Sequence, residues 1–256
     1  MDISTASSNP DEASQPSRLR SPAFPTTQWS VVVDAAHTDP ERVRQALEKL
    51  CQRYWYPIYS FVRQREHDHH HAEDLTQSFF YFVLTQQVFS RAAPERGRFR
   101  TFVLAALKNF LLNEYDKTLR QKRGGKHQII SLDEKLAEEF FRNEPADQAT
   151  PEKHFERTWA VMLVRRVFDQ LRDEFLERGK AGVFAALQPY LTGETSAGDY
   201  ERLAKTLGME DGAVKVALHR ARRRFGELLR HEIAHTVTGP EEIEAELRQL
   251  LAAISS

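Results

Sequence analysis

Between Thr150 and Gly179, large apolar residues return every fourth position as Trp159, Leu163, Val167, Leu171 and Phe175. That spacing lays a stripe along one side of an α-helix, whereas a strand would need a period of two. The ends are punctuated as helix ends should be, with Thr150 able to cap and Pro151 at the first helical position. Helical periods also govern the other structured stretches. Val43, Leu47, Leu50 and Tyr54 follow Pro40 as a helix opener, a second helix is expected over about 72–87, and a third over about 99–121. No strand-like alternation of useful length and no internal repeat interrupts them. The expected fold class is all-α, with two helical modules joined by a linker.

Composition places the boundaries. Residues 1–22 are rich in Ser, Pro, Asp and Glu and read as a disordered tail without the apolar segment of a signal peptide. Residues 23–123 form the first helical module, and the loop "SRAAPERGR" separates its last two helices. Residues 124–150, acidic and Pro-marked, read as a linker. Residues 151–235 form the second module, and 236–256 a helical extension with an amphipathic segment at Ile243, Leu247 and Leu250. No apolar run approaches the roughly 20 residues that span a bilayer, so no membrane insertion is expected. Cys51 is the only cysteine, which excludes an intrachain disulfide and suits a reducing, cytoplasmic compartment.

Charge is balanced overall at −1 but not along the chain. Arg91 to Lys126 holds ten basic residues against three acidic ones, and Lys215 to Arg230 six against one. Two cationic blocks in an otherwise acidic chain point to a nucleic-acid partner. The second block lies in "DYERLAKTLGMEDGAVKVALHRARRRFGELLR", which is punctuated as a helix-turn-helix. Tyr200, Leu203 and Leu207 stripe the first helix, Gly208 permits the turn, and Val214, Leu218, Ala221, Phe225 and Leu228 stripe the second. Lys215, His219, Arg222 and Arg223 are then expected to point outward together, as a helix entering the major groove requires.

"LAKTLGMEDGAVKVALHRARRRFGELL" resembles the −35-reading region of bacterial sigma factors of the sigma-70 family, extracytoplasmic-function type. The resemblance implies a region 4-like domain over 151–235, with Lys215, Val216, His219 and Arg220 facing DNA and Arg222 and Arg223 meeting phosphates. Glu210 stands where that family usually has a capping Ser, so the cap is expected to pass to Asp211.

Upstream, "AEDLTQSFFYFVL" resembles the family's polymerase-docking helix. Leu75, Phe79, Phe82 and Val83 are expected in the core. Glu73, Gln77, Phe80 and Leu84 lie on the opposite side with Asp74 beside them, a polar and apolar mixture that suits a partner surface. "RGRFRTFVLAALKNFLLNEYDKTLRQKR" resembles the family's −10 region, within a region 2-like domain over 23–123. Promoter opening holds a base outside the stack while cations follow the strand. Arg96, Arg98, Phe99, Arg100, Phe102 and Lys108 are the residues the resemblance assigns to this, with Phe102 in place of a frequent Trp. Asn109, Asn113, Asp116 and Arg120 form a polar stripe on the same helix.

As partners the resemblance implies the RNA polymerase core, through its clamp helices and flap, and promoter DNA, and it leaves room for an anti-sigma factor or other regulator. The chain itself would be no enzyme, need no cofactor, and work at the nucleoid, its acidic linker threading near the polymerase active centre. A stand-alone helix-turn-helix regulator with an N-terminal sensing or dimerisation module is the alternative. "HDHHHAED" raises a third idea, a metal-dependent phosphohydrolase. His67, His69, His70 and His71 are expected in a loop before the docking helix, where consecutive side chains diverge instead of converging on an ion.

Overall fold

A computed structural model describes residues 40–66, 68–86, 88, 98–120, 150–237 and 239–255, and among these every regular element is a helix. Helix α1 (Pro40–Arg63) opens at the expected proline. It carries a second one, Pro57, in its interior, which has no N–H to offer the Arg53 carbonyl. Burial of Trp55, Ile58, Tyr59, Phe61 and Val62 around that point outweighs the lost bond. Helix α2 (His69–Thr85) starts one turn earlier than its apolar period suggests. Asp68 is the reason: its Oδ1 accepts from the His70 N–H at 2.9 Å, a strong N-cap. His69, His70 and His71 are therefore the first turn of a helix and not a loop; His67 lies outside the described residues. Helix α3 spans Phe99–Arg120.

The second half begins with α4 (Pro151–Glu177), where Thr150 Oγ1 accepts from Lys153 N at 3.4 Å and Pro151 takes the first position, as expected. Helix α5 (Ala181–Leu187) runs into a 3-10 turn, Gln188–Tyr190. Helix α6 (Ala197–Leu207) is opened by a reciprocal capping box between Ser196 and Asp199. Gly208 closes it at φ 62°, a left-handed conformation that glycine adopts without a Cβ penalty. Helix α7 (Asp211–Ala234) and, after a turn at Pro240–Glu242, helix α8 (Ile243–Ser255) complete the described chain.

Helix α4 is the centre of the packing, with α1, α7, α8 and α5 all laid against it. Phe155, Trp159, Leu163, Val167 and Leu171 are buried along it, while Phe175 at its end is only partly covered. Phe61 of α1 meets Phe155 edge-on, with centroids 6.3 Å apart. Beside them the buried Ser60 hydroxyl and His154 Nε2 share a hydrogen bond. Helix α2 packs on α1 and reaches α3 through Phe79 and Phe82, both against Phe110. One apolar cluster runs from Leu50 to Leu250, so the helices assigned to two modules share a core.

Charge is buried at this seam. Glu232 of α7 lies 3.6 Å from Arg53 of α1 and 3.8 Å from Arg166 of α4, and accepts from Gln170 Nε2 at 2.9 Å. Burial alone would raise the Glu232 carboxyl, but the Gln170 hydrogen bond and the Arg53 and Arg166 charges together hold it below the usual range. Glu232→Ala would leave those guanidiniums without their counter-charge and should cost about 3 kcal/mol or more in urea unfolding at neutral pH. A carboxylate held low stabilises above its unfolded value of about 4.3, and loses that contribution as pH falls through the depressed folded value. The gap between wild type and variant should accordingly narrow below about pH 4.

Candidate nucleic-acid interface

The helix-turn-helix forms from its own local signals. Val214, Leu218, Ala221, Phe225 and Leu228 of α7 are buried, as their spacing requires. Lys215, Val216, His219, Arg220 and Arg223 are exposed along the opposite side, with Val216 at 48%. Lys215 Nζ sits 5.4 Å from the Tyr200 ring of α6, which holds the start of this face against its partner helix. Among the described residues Arg223 is paired only with exposed Glu227, Nε to Oε1 at 3.1 Å, a contact worth little in water and easily exchanged for a phosphate.

Three cations of this block are committed elsewhere. Arg222, expected to meet phosphate, turns back instead. Its Nε donates to the Tyr190 carbonyl at 3.0 Å, and its Nη2 to Gly193 O and Thr195 Oγ1, both at 2.7 Å. It clamps the segment that leads into α6. Arg224 forks onto Glu174 of α4, and this hydrogen bonding raises its pKa while lowering that of Glu174. Arg230 is tied to Glu244 at 2.8 Å. Capping also differs from expectation: Glu210 is the N-cap and makes no side-chain bond, while Asp211 is already helical. A glutamate is one methylene too long for the tight loop back to the first-turn N–H groups.

Of the first basic block, the described cations Arg98, Arg100 and Lys108 are all paired within the protein. Phe99, assigned to base capture, is fully buried with its ring edge-on to Tyr54 at 5.5 Å. Phe102 stacks beside it at 6.2 Å and is half-buried. Arg98 and Arg100 both engage Glu246 of α8, and Lys108 Nζ bonds Glu152 Oε1 at 2.8 Å. What α3 shows to solvent is the polar stripe Asn109, Asn113 and Asp116, accompanied by Leu112 at 64% and by Tyr115. Arg96 and the side chains of Arg120 and Leu84 lie outside the described residues.

The docking face expected on α2 is not its outer face. Glu73, Gln77 and Phe80 are buried together with Ala72, Thr76, Phe79 and Val83. Because α2 packs on both α1 and α3, its buried sector is wider than one stripe. Asp74 is exposed as assigned, and shares the outer side with Ser78, Tyr81 and Thr85. Of the histidines, His70 and His71 lie 3.9 Å and 3.6 Å from Glu73 and Glu66. Among the described residues no group of three His, Cys, Asp or Glu side chains is placed to hold a metal ion. Nor is any described helix long and apolar enough to cross a membrane.

Sequence reasoning missed Glu246 and Glu232. Glu246 had a signal: it falls on the apolar side of its helix with Ile243, Leu247 and Leu250, where a carboxylate needs a cation. No family model, curated protein or solved structure matches this chain.

Three substitutions test the assignments on α7. Arg222→Ala should lower the thermal midpoint, costing about 1.5–3 kcal/mol for lost charged hydrogen bonds, whereas Arg223→Ala should leave stability within about 0.5 kcal/mol. Glu210→Ser supplies the missing cap and should raise stability by about 0.5–1 kcal/mol in chemical unfolding.

Proposed function

We propose that this chain is a promoter-specificity subunit of bacterial RNA polymerase, a sigma factor of the extracytoplasmic-function type. The observation that carries the reading is the exposed face of α7, where Lys215, Val216, His219, Arg220 and Arg223 stand together on the second helix of a helix-turn-helix. In this role the first half of α7 lies in the major groove. The Arg220 fork suits guanine, Val216 suits a thymine methyl, and Lys215 and Arg223 suit the flanking phosphates. The −10 element falls to α3, whose Asn109 and Asn113 provide amide donors and acceptors beside exposed Leu112 and Tyr115. Docking on the polymerase clamp helices falls to α2 through its outer residues Asp74, Ser78 and Tyr81, and the region 4-like half meets the flap. The polymerase supplies the chemistry, and the chain supplies selection, in the cytoplasm at the nucleoid.

One observation favours the second reading, a stand-alone helix-turn-helix regulator: Arg98 and Arg100 are paired with the protein's own Glu246 and not presented to a strand. Reconstitution separates the two. Mixed with bacterial core polymerase and a promoter library, a sigma factor yields discrete start sites, while a regulator co-purifies with DNA but not with core and yields none. Arg220→Ala should weaken binding of the selected −35 duplex about ten-fold, the cost of one good base contact. Lys215→Ala should lower the slope of log affinity against log salt by about 0.9, one phosphate contact.

A further inference from the structure

Glu246 on α8 is fully buried, at 0% exposure, and its carboxylate is met by two neighbouring guanidiniums from the start of α3. Arg98 Nε lies 2.8 Å from Oε2, and Arg100 Nη1 donates to Oε1. The Arg100 guanidinium lies over the Trp159 ring, 4.7 Å from its centroid, and its other Nη reaches Gln249 Oε1 at 3.4 Å. Two closely spaced arginines round one oxyanion is the arrangement by which proteins take a phosphate. The same helix also holds the other basic block, through Glu244 and Arg230.

We propose that α8 is a displaceable latch, whose Glu246 carboxylate occupies the place of a nucleic-acid phosphate on Arg98 and Arg100 and keeps the first basic block silent until the helix leaves. The inference rests on the reading of that block as a DNA-binding element.

The attachment of α8 is weak enough for this. Only Glu246 and Leu250 of the helix are buried. Ile243, Leu247, Ala253 and Ile254 are partly covered, and Leu251 is exposed. The ion cluster adds position more than free energy, because desolvation of three charges consumes most of their attraction. Its geometry is also incomplete: among the described residues Arg100 Nε has no hydrogen-bond partner, and Glu246 Oε2 lacks a well-directed hydrogen bond despite the nearness of Arg98. The outer tie, Arg230 to Glu244, is an exposed surface pair and adds little. A strand of phosphates therefore competes for Arg98 and Arg100 on favourable terms, and each cation that it captures weakens the seat of α8.

The test uses the full chain and Glu246→Gln, titrated with a labelled single-stranded oligonucleotide of mixed sequence across a range of salt. The variant should bind about ten-fold tighter at low salt, with a log–log salt slope steeper by about 1.4, the value for two added single-strand phosphate contacts. An unchanged slope and affinity in a folded variant would overturn the latch. Hydrogen exchange of the wild-type chain covers a variant that misfolds. Amides of 243–255 should lose protection at saturating oligonucleotide, and retained protection counts against the proposal. Duplex binding through α7 and start-site selection with core polymerase report on the underlying reading. Loss of both removes that reading, whereas their presence without a change in slope or protection removes the latch alone.

Discussion

Everything in this fold hangs on α4. Its 27 residues make a rod of about 40 Å, and the stripe from Phe155 to Leu171 gives α1, α7 and α8 a common surface to bury against. Each such side chain taken fully out of water contributes about 1.5–3 kcal/mol, so this one stripe rivals the net stability of a whole domain. Neither half could cover it alone. Helix α1 belongs to the first half of the chain and α7 to the second, and their meeting on α4 turns two sequence modules into one core.

That meeting explains why charge is buried where it is. Helices that pack by apolar contact alone can slide by a turn, whereas Glu232 meets Arg53, Arg166 and Gln170 together at one setting only. Such clusters contribute little net free energy but penalise every misplacement by an unpaired charge. The Ser60 and His154 pair makes the same demand further along the seam. Apolar burial drives the association, and the polar groups select its register.

What was legible in the sequence was what local physics decides. The period and N-cap of α4, the turn glycine at 208, the buried stripe of α7 and its outward Lys215, His219 and Arg223 depend on residues within a turn or two of each other. The extra turn of α2 was missed although its signal, Asp68 as a cap, was equally local. Arg98, Arg100 and Arg222 could not be placed by period, because an arginine on a helix snorkels to whichever carbonyl or carboxylate the tertiary fold brings near. The α2 face failed for a related cause: one helix between two others buries two stripes, and a single-stripe reading leaves Glu73, Gln77 and Phe80 on the wrong side.

Internal pairing also sets how strongly the isolated chain can hold DNA. Of the second block, Arg222, Arg224 and Arg230 are engaged by the protein itself, which leaves Lys215, Arg220 and Arg223 on the outer face of α7. Two phosphate contacts, from Lys215 and Arg223 with Arg220 on a base, release few counterions, so the electrostatic affinity they generate is small and leaves only weak, short-lived binding at physiological salt. A helix-turn-helix with so few free cations gains useful occupancy only when a second attachment raises its effective concentration at the site. Under the proposed function that attachment is the polymerase. A chain that itself engages Arg98, Arg100, Arg222, Arg224 and Arg230 is then suited to being nearly inert on DNA when alone and selective when carried.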